Sequence, residues 1–399
     1  MGIRVLTAAM ILGSLAHAAE PDVASGPWDL RALRQPPQVT WLAREGTLRS
    51  LLYANEPYRG KPTRVFAYYA VPEPRQGRAP AMVLVHGGGG QAYPDWAELW
   101  AKRGYAAIAM DLNGCGPKGE PLPDAMPALD HRFIFQSMSE GLRETWPYHA
   151  VAAVLRAISF LAAQPEVDSD RIGITGLSWG GFLTCMAASL DGRVKVAIPV
   201  YGCGFIYEDG LFVPDFQKMP DADRKLWIES FDPSRYLAQA RVPMLWITGT
   251  TDIVYPLDIF QKSYRLPRGP RPLSVIVGMP HTLVAATTAA EIGLFADQHL
   301  RGGTPLAEMG PLSVQGETVE ATFRSPVPVA KAALCYTTDT VIWKERKWET
   351  APAKIAGDRL RAPLPAPRPI VFFLSLTDAR GVTVTTEHRA LGEKERPRE

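Results

Sequence analysis

Residues 176–180 read Gly-Leu-Ser-Trp-Gly, a G-x-S-x-G sequence that follows the apolar run RIGIT and leads into WGGFLTCMAASL. A strand before and a helix after is the setting that throws such a serine onto a sharp, strained turn above a sheet edge. Gly176 and Gly180 leave room where a Cβ would strike the neighbouring strand and helix. The helix that starts there directs unpaired backbone N–H groups at an incoming anion. Ser178 is therefore the candidate nucleophile, and the plainer alternative is a structural turn with a surface serine. A serine hydroxyl needs a base. Of the seven histidines, His281 stands directly after the last strand of the alternating region, in GMPHTL. His86 precedes a glycine run and suits loop support. His131, His149, His299 and His388 lie in less suitable places, and His17 is in the N-terminal leader. Asp252, in GTTDIVYP, follows a strand directly and completes the order Ser178, Asp252, His281 along the chain. Asp232, in DPS, suits a helix cap, and Asp258 falls inside the next helix. A buried Asp252 would set the His281 tautomer and stabilise the imidazolium. HGGGG, residues 86–90, follows the strand AMVLV. Glycines there let bare N–H groups reach a developing oxyanion. Gly88, Gly89 and the N–H of Trp179 are the expected donors. A phosphate loop would require Gly-Lys-Ser/Thr, and this loop continues QAYPDW.

The elements around these residues have a consistent rhythm. Residues 39–72 read as antiparallel strands turned at RGKP. Short, wholly apolar strands at 81–85, 105–110, 171–177, 194–201, 242–250 and 273–279 then alternate with helices at 94–104, 146–165, 178–190, 256–266 and 285–300. Doubly buried strands alternating with helices predict a mostly parallel sheet covered on both faces. Residues 204–235 break the rhythm as an insertion over the sheet edge. From 303 the pattern changes to alternating apolar and polar residues, predicting a small all-β sandwich with a charged tail to residue 399. The expected division is 1–18 as leader, 19–302 as the α/β catalytic domain and 303–399 as the sandwich.

The 399 residues carry 43 Lys+Arg against 41 Asp+Glu, which leaves no excess of positive charge to neutralise a nucleic acid. The 34 Gly and 36 Pro follow no collagen-like period and mark tight turns. Arg4, the apolar stretch Val5 to Ala16 and Ala16-His17-Ala18 have the layout of a cleavable secretory leader. The mature protein is expected to be exported, to the periplasm or medium, with no membrane partner. Cys115, Cys185, Cys203 and Cys335 match no zinc spacing. Cys115 and Cys203 both follow predicted strands, so a bridge between them is one possibility. No metal or organic cofactor is expected.

HGGGG, then WAELWAKRGYAAIAMD, RIGITGLSWGGFLTC, PVYGCGF, PMLWITGTTDIVYPLD and MPH together resemble the acetylxylan esterase and dienelactone hydrolase-like branch of the α/β-hydrolases. That branch is related to prolyl oligopeptidase catalytic domains. The resemblance spans about residues 40–302 and implies carboxylic ester hydrolysis through an acyl-enzyme on Ser178, Asp252 and His281. Dienelactone hydrolases proper have Cys where this chain has Ser178. Acetylxylan-type enzymes often have Gln and Glu where it has Trp179 and Thr282. The expected substrate is a small acyl ester, acetyl above all, on a small molecule or a carbohydrate. Tyr93, Trp96, Tyr201, Phe205 and Tyr207 are the expected pocket residues, and Trp227 lies in the insertion. Two alternatives stand beside this: a prolyl oligopeptidase-like peptidase, and a non-catalytic binding protein on the same scaffold.

Overall fold

A computed structural model describes residues 24–74 and 76–392. The segment 1–18 expected to be a leader and the charged residues from 393 lie outside the described residues.

Helix α1 (Leu30–Leu33) precedes an antiparallel edge built from β1 (Val39–Glu45), β2 (Leu48–Tyr58) and β3 (Lys61–Ala70). The hairpin turns at Arg59-Gly60, as the RGKP segment predicts. Then follow β4 (Ala79–Val85), α2 (Pro94–Lys102), β5 (Ala106–Met110), α3 (Trp146–Ala163), β6 (Val167–Leu177), α4 (Trp179–Leu190) and β7 (Val194–Val200). The insertion carries α5 (Val213–Lys218) and α6 (Asp221–Phe231). After it come β8 (Trp246–Gly249), α7 (Leu257–Tyr264), β9 (Leu273–Ile276), α8 (Leu283–Thr288) and α9 (Ala290–Leu300).

Spatial order runs β1-β2-β3-β5-β4-β6-β7-β8-β9, parallel from β5 to β9. The parallel strands are almost wholly buried because helices cover both faces. Helix α3 is apolar on nearly every face because it lies between the sheet on one side and α1, α4 and the turns at 132–144 on the others. It is long and apolar enough to cross a membrane, and 83% of it is buried inside the fold. The closing helix predicted at 285–300 is two helices, broken at Ala289, whose φ of −58° and ψ of 122° leave the helical region.

The C-terminal strands are β10 (Glu308–Met309), β11 (Ser313–Gln315), β12 (Thr318–Arg324), β13 (Val329–Thr337), β14 (Glu349–Pro352), β15 (Lys354–Ala356), β16 (Arg359–Pro363), β17 (Ile370–Asp378), β18 (Thr383–Thr385) and β19 (Arg389–Leu391). They form two antiparallel layers. One layer is β10-β12-β16-β15, with β11 beside β12. The other is continuous with the parallel sheet: β18 pairs with β9 at Thr385 and Leu273, and β17, β13 and β14 follow. The β9 edge is thereby covered rather than left open to another chain. Ile198, Leu245 and Phe295 share one apolar core with Val319, Leu334, Leu360 and Leu374. Asp258 of α7 accepts from Trp343 Nε1 at 3.0 Å and lies 3.3 Å from His388 Nε2. A cavity of about 530 Å³ opens along this junction, between Tyr264, Arg265 and Arg271 on one wall and Leu312, Thr386 and His388 on the other. It lies at the amino end of β9, whereas His281 follows the carboxyl end.

All four cysteines are free thiols. Cys115 does not bridge to Cys203: its sulfur turns back to Asn113 O, while Cys203 is buried under the end of β7 with its sulfur on Gly204 O.

Candidate active site

Ser178 sits between β6 and α4 with φ 58° and ψ −123°, a region almost reserved for glycine. The turn is held because packing leaves no alternative. Ser178 N–H donates to Val200 O at 3.0 Å, and Phe182 N–H donates to Ser178 O at 3.0 Å. A Cβ on Gly180 would come within 2.0 Å of Val85 O, and one on Gly176 within 2.3 Å of Gly180 O. The two flanking glycines of the motif therefore let β4, β6 and α4 meet at van der Waals distance. Gly202 is a third such glycine, 2.3 Å from Ser178 O for an added Cβ. Only its place in YGCGF after a strand hinted at this role.

His281 Nδ1 lies 2.7 Å from Asp252 Oδ2. A carboxylate only accepts, so Nδ1 carries the proton and Nε2 keeps its lone pair. Asp252 is buried, and its second oxygen accepts from Val254 N–H at 2.9 Å and Tyr255 N–H at 2.8 Å. Those bonds fix the carboxylate before the histidine reaches it. The Tyr201 ring lies on the His281 ring with centroids 4.2 Å apart, and the Tyr201 hydroxyl donates to Thr282 O. Tyr201 itself takes φ 31° at the end of β7. It orients the imidazole and is fully buried, so it does not offer an open wall to a ligand. Among the described residues no hydrogen bond joins Ser178 to His281; a bond that tightens only when substrate is bound is common in such sites.

Gly87 abuts the candidate nucleophile, since an added Cβ would sit 2.8 Å from Ser178 Cβ. Gly88 faces Trp179, 3.2 Å from Cδ1 by the same measure, and Gly89 takes φ 66°. The N–H groups of Gly88, Gly89 and Trp179 have no partner among the described residues. The loop is held from behind by His86, which is buried. Leu112 N–H donates to His86 Nε2 at 2.8 Å, so the proton is on Nδ1, which faces Gly87 O at 2.7 Å. Burial lowers the His86 pKa, keeping this ring neutral and committed to the loop. Asp111 adds a second clasp, accepting from Asn113 and Cys115 N–H, while Asn113 Nδ2 donates to Gly90 O. The sequence signal for these supports was faint: an Asp-Leu-Asn-Gly directly after a strand.

Asp232 is buried and caps a short turn through Ser234 N–H at 2.8 Å, as its DPS context predicts. The same oxygen accepts from Phe205 N–H at 2.9 Å, which pins Phe205 at φ 60°. Asp258 points to the C-terminal layer, away from Ser178.

Of the expected pocket residues, Tyr201 lies on His281 and Phe205 meets Tyr207 with ring centroids 6.3 Å apart, whereas Tyr93 and Trp96 belong to a different cluster. Trp96 is packed in the core under α2, and Tyr93 is half-buried against the same cluster. Helix α2 turns its apolar stripe inward, so Trp96 follows the helix face rather than the loop before it. Phe205 lies under Lys262, whose Nζ is 4.3 Å from the ring centroid, and Tyr207 packs on Phe216. The aromatic wall beside Ser178 has other members. Trp179 meets Phe212, Phe182 and Trp146 at centroid distances of 4.8, 5.1 and 5.4 Å. Phe135 and Phe216 extend it to Trp227, whose Nε1 donates to Ile134 O at 2.8 Å. This cluster ties residues 111–145 to the 204–235 insertion and leaves Ser178 only 9% exposed.

Residues 54–208 match the acetyl xylan esterase (AXE1) family model. Acetyl esterase Axe7A of Xylanibacter ruminicola is 26% identical over 141 residues, which is 34% of this chain and 31% of that protein. The uncharacterized peptidase YuxL of Bacillus subtilis is 24% identical over 196 residues, 45% of this chain and 27% of that protein. The chain spans about a quarter to a half of the length of the curated relatives it matches. An acetyl xylan esterase from Paenibacillus sp. R4 superposes with a TM-score of 0.54 at 22% identity, over 68% of this chain and 92% of that one. The fold is thus that of the α/β-hydrolases, with an added β-rich C-terminal region, and the relatives are hydrolases.

Proposed function

We propose that the protein is a serine carboxylesterase acting on small acyl esters, acetyl above all, through Ser178, His281 and Asp252. The observation that carries this is the hydrogen-bonded His281–Asp252 pair, which follows β8 and β9 on the same carboxyl edge of the sheet as Ser178, a serine held in a conformation almost reserved for glycine. In the first half-reaction His281 Nε2 takes the Ser178 proton as Oγ attacks the ester carbonyl. The tetrahedral oxyanion receives the N–H groups of Gly88 or Gly89 and of Trp179. His281 then gives the proton to the leaving alcohol, and the acyl group stays on Ser178. In the second half-reaction His281 removes a proton from water, which attacks the acyl-enzyme. The acid departs and the proton returns to Ser178. The two half-reactions together return the residues to their starting state, so the chemistry consumes only ester and water. The closed aromatic wall beside Trp179 supports a small acyl group.

The leader pattern at residues 1–18 supports export, with the ester met in the periplasm or outside the cell. The test is a panel of chromogenic acetyl, butyryl and longer esters run beside aminoacyl anilides, with mass spectrometry of a serine-directed phosphonate adduct. The reading expects rapid acetyl turnover and label on Ser178. Faster anilide turnover would favour a peptidase, and label elsewhere would remove Ser178 as nucleophile.

A further inference from the structure

The cavity of about 530 Å³ at the amino end of β9 takes no part in either half-reaction. Its volume falls within the roughly 300–1,000 Å³ of ligand pockets, and a seam between two packed regions is a preferred place for one. The α/β part supplies Tyr264, Arg265 and Arg271, and the C-terminal strands and loops supply Met309, Leu312, Glu387 and Arg389. Three arginines thus meet one glutamate. Glu387 is already taken, its Oε2 accepting from Arg265 Nε at 3.0 Å and from Nη2 at 2.5 Å. Arg271 and Arg389 have no carboxylate partner among the described residues. Arg271 Nη1 donates to Pro267 O at 2.8 Å, and its guanidinium stands 5.7 Å from the Tyr264 ring centroid, beside the Tyr264 hydroxyl. The uncharged polar groups of the wall are engaged within the protein. Thr385 Oγ1 accepts from Val275 N–H at 3.2 Å, Thr386 Oγ1 accepts from Leu374 N–H at 3.0 Å, and His388 Nε2 lies 3.3 Å from Asp258 Oδ1.

What the cavity offers a ligand is therefore guanidinium N–H, which only donates, beside an apolar patch of Met309, Leu312 and the Tyr264 ring. We propose that it binds a small organic carboxylate with an apolar, ring-sized body. The carboxylate meets Arg271 and Arg389, whose planar forks match its two oxygens. The ring lies against Tyr264, Met309 and Leu312. Inorganic phosphate would satisfy the arginines but leave the apolar patch in water. The proposal goes beyond the esterase reading and stands whether or not Ser178 is the nucleophile.

The test is a ligand-observed NMR titration of the full chain with 2-naphthoate, 2-naphthamide, acetate and inorganic phosphate. The expected Kd for 2-naphthoate is below about 1 mM. The neutral amide, acetate and phosphate should each bind about tenfold more weakly or worse, since each lacks either the charge or the ring. Arg271→Gln and Arg389→Gln should each weaken 2-naphthoate by about tenfold. Arg389 is exposed, so Arg389→Gln should fold as the parent does, and a thermal melt checks both variants. A Kd for 2-naphthoate above about 1 mM would overturn the proposal, as would amide or phosphate binding as tightly as 2-naphthoate. So would unchanged affinity in the arginine variants, or loss of binding in Ser178→Ala, either of which places the ligand elsewhere. None of these readouts is ester turnover, so their failure leaves the esterase reading standing.

Discussion

Replacing Ser178 by glycine should stabilise the protein relative to replacing it by alanine. Both changes remove the hydroxyl, so the comparison isolates the backbone. At φ 58° and ψ −123° a residue with a Cβ is strained by roughly 1–3 kcal/mol. Glycine relieves this strain, but its unfolded chain is freer, which costs roughly 0.5–1 kcal/mol. The net advantage for glycine is then about 0.5–2 kcal/mol. At an unstrained position the sign is the reverse. The 399-residue chain has an unfolding entropy of roughly 0.8 kcal/mol/K, from about 2.1 cal/mol/K per residue. The expected difference in Tm is therefore about 1–2 °C, resolvable by scanning calorimetry on matched samples. Both variants should lack ester turnover. A Ser178→Gly protein melting at or below Ser178→Ala would show that the turn is unstrained, and the argument linking strain to the nucleophile's position would fall.

Asp252→Asn should keep the fold, since the amide oxygen still accepts from Val254 and Tyr255, yet lower kcat by roughly 10³–10⁴ because His281 loses its tautomer control; steady-state kinetics decides it. Gly180→Ala places a Cβ 2.0 Å from Val85 O and should cost at least about 2 kcal/mol or prevent folding; urea unfolding reads the loss. Burial holds the His149 pKa down to about 4, below the roughly 6.5 of an unfolded histidine. The unfolded chain therefore binds the extra proton first. Stability is fully present above about pH 6.5, is lost as pH falls, and levels off below about 4, a change on the order of 3 kcal/mol. His149→Gln should flatten that part of a Tm–pH curve, and an unchanged acid limb would refute the assignment.

Much of the site was legible because its signals are local. A serine between glycines after a strand, an aspartate and a histidine each directly after later strands, and a glycine run after the first buried strand are all short patterns that strand–helix alternation places on one sheet edge. Backbone geometry demands glycine at Gly176 and Gly180, so the residue type itself carries the information. The aromatic wall was not legible in this way. Trp96 and Tyr93 lie near the glycine loop in sequence, but the inward face of α2 takes Trp96 into the core, and Tyr93 at its N-cap packs half-buried against the same cluster. Phe135, distant from every motif, reaches Trp179 only through the folding of an irregular segment.

The same contrast holds for the whole chain. By itself the sequence determined the alternating elements, the order of the candidate nucleophile, acid and base, and the change to period-two alternation after residue 303, because hydrophobic periodicity and glycine placement are properties of neighbouring residues. Only the tertiary structure decided that β18 would cap β9 and merge two sheets into one, that Phe135 and Phe212 would pack on Trp179, and that Tyr201 would lie on His281. Those outcomes depend on contacts between residues many tens of positions apart, and no short-range pattern encodes which surfaces the packed core will leave in water.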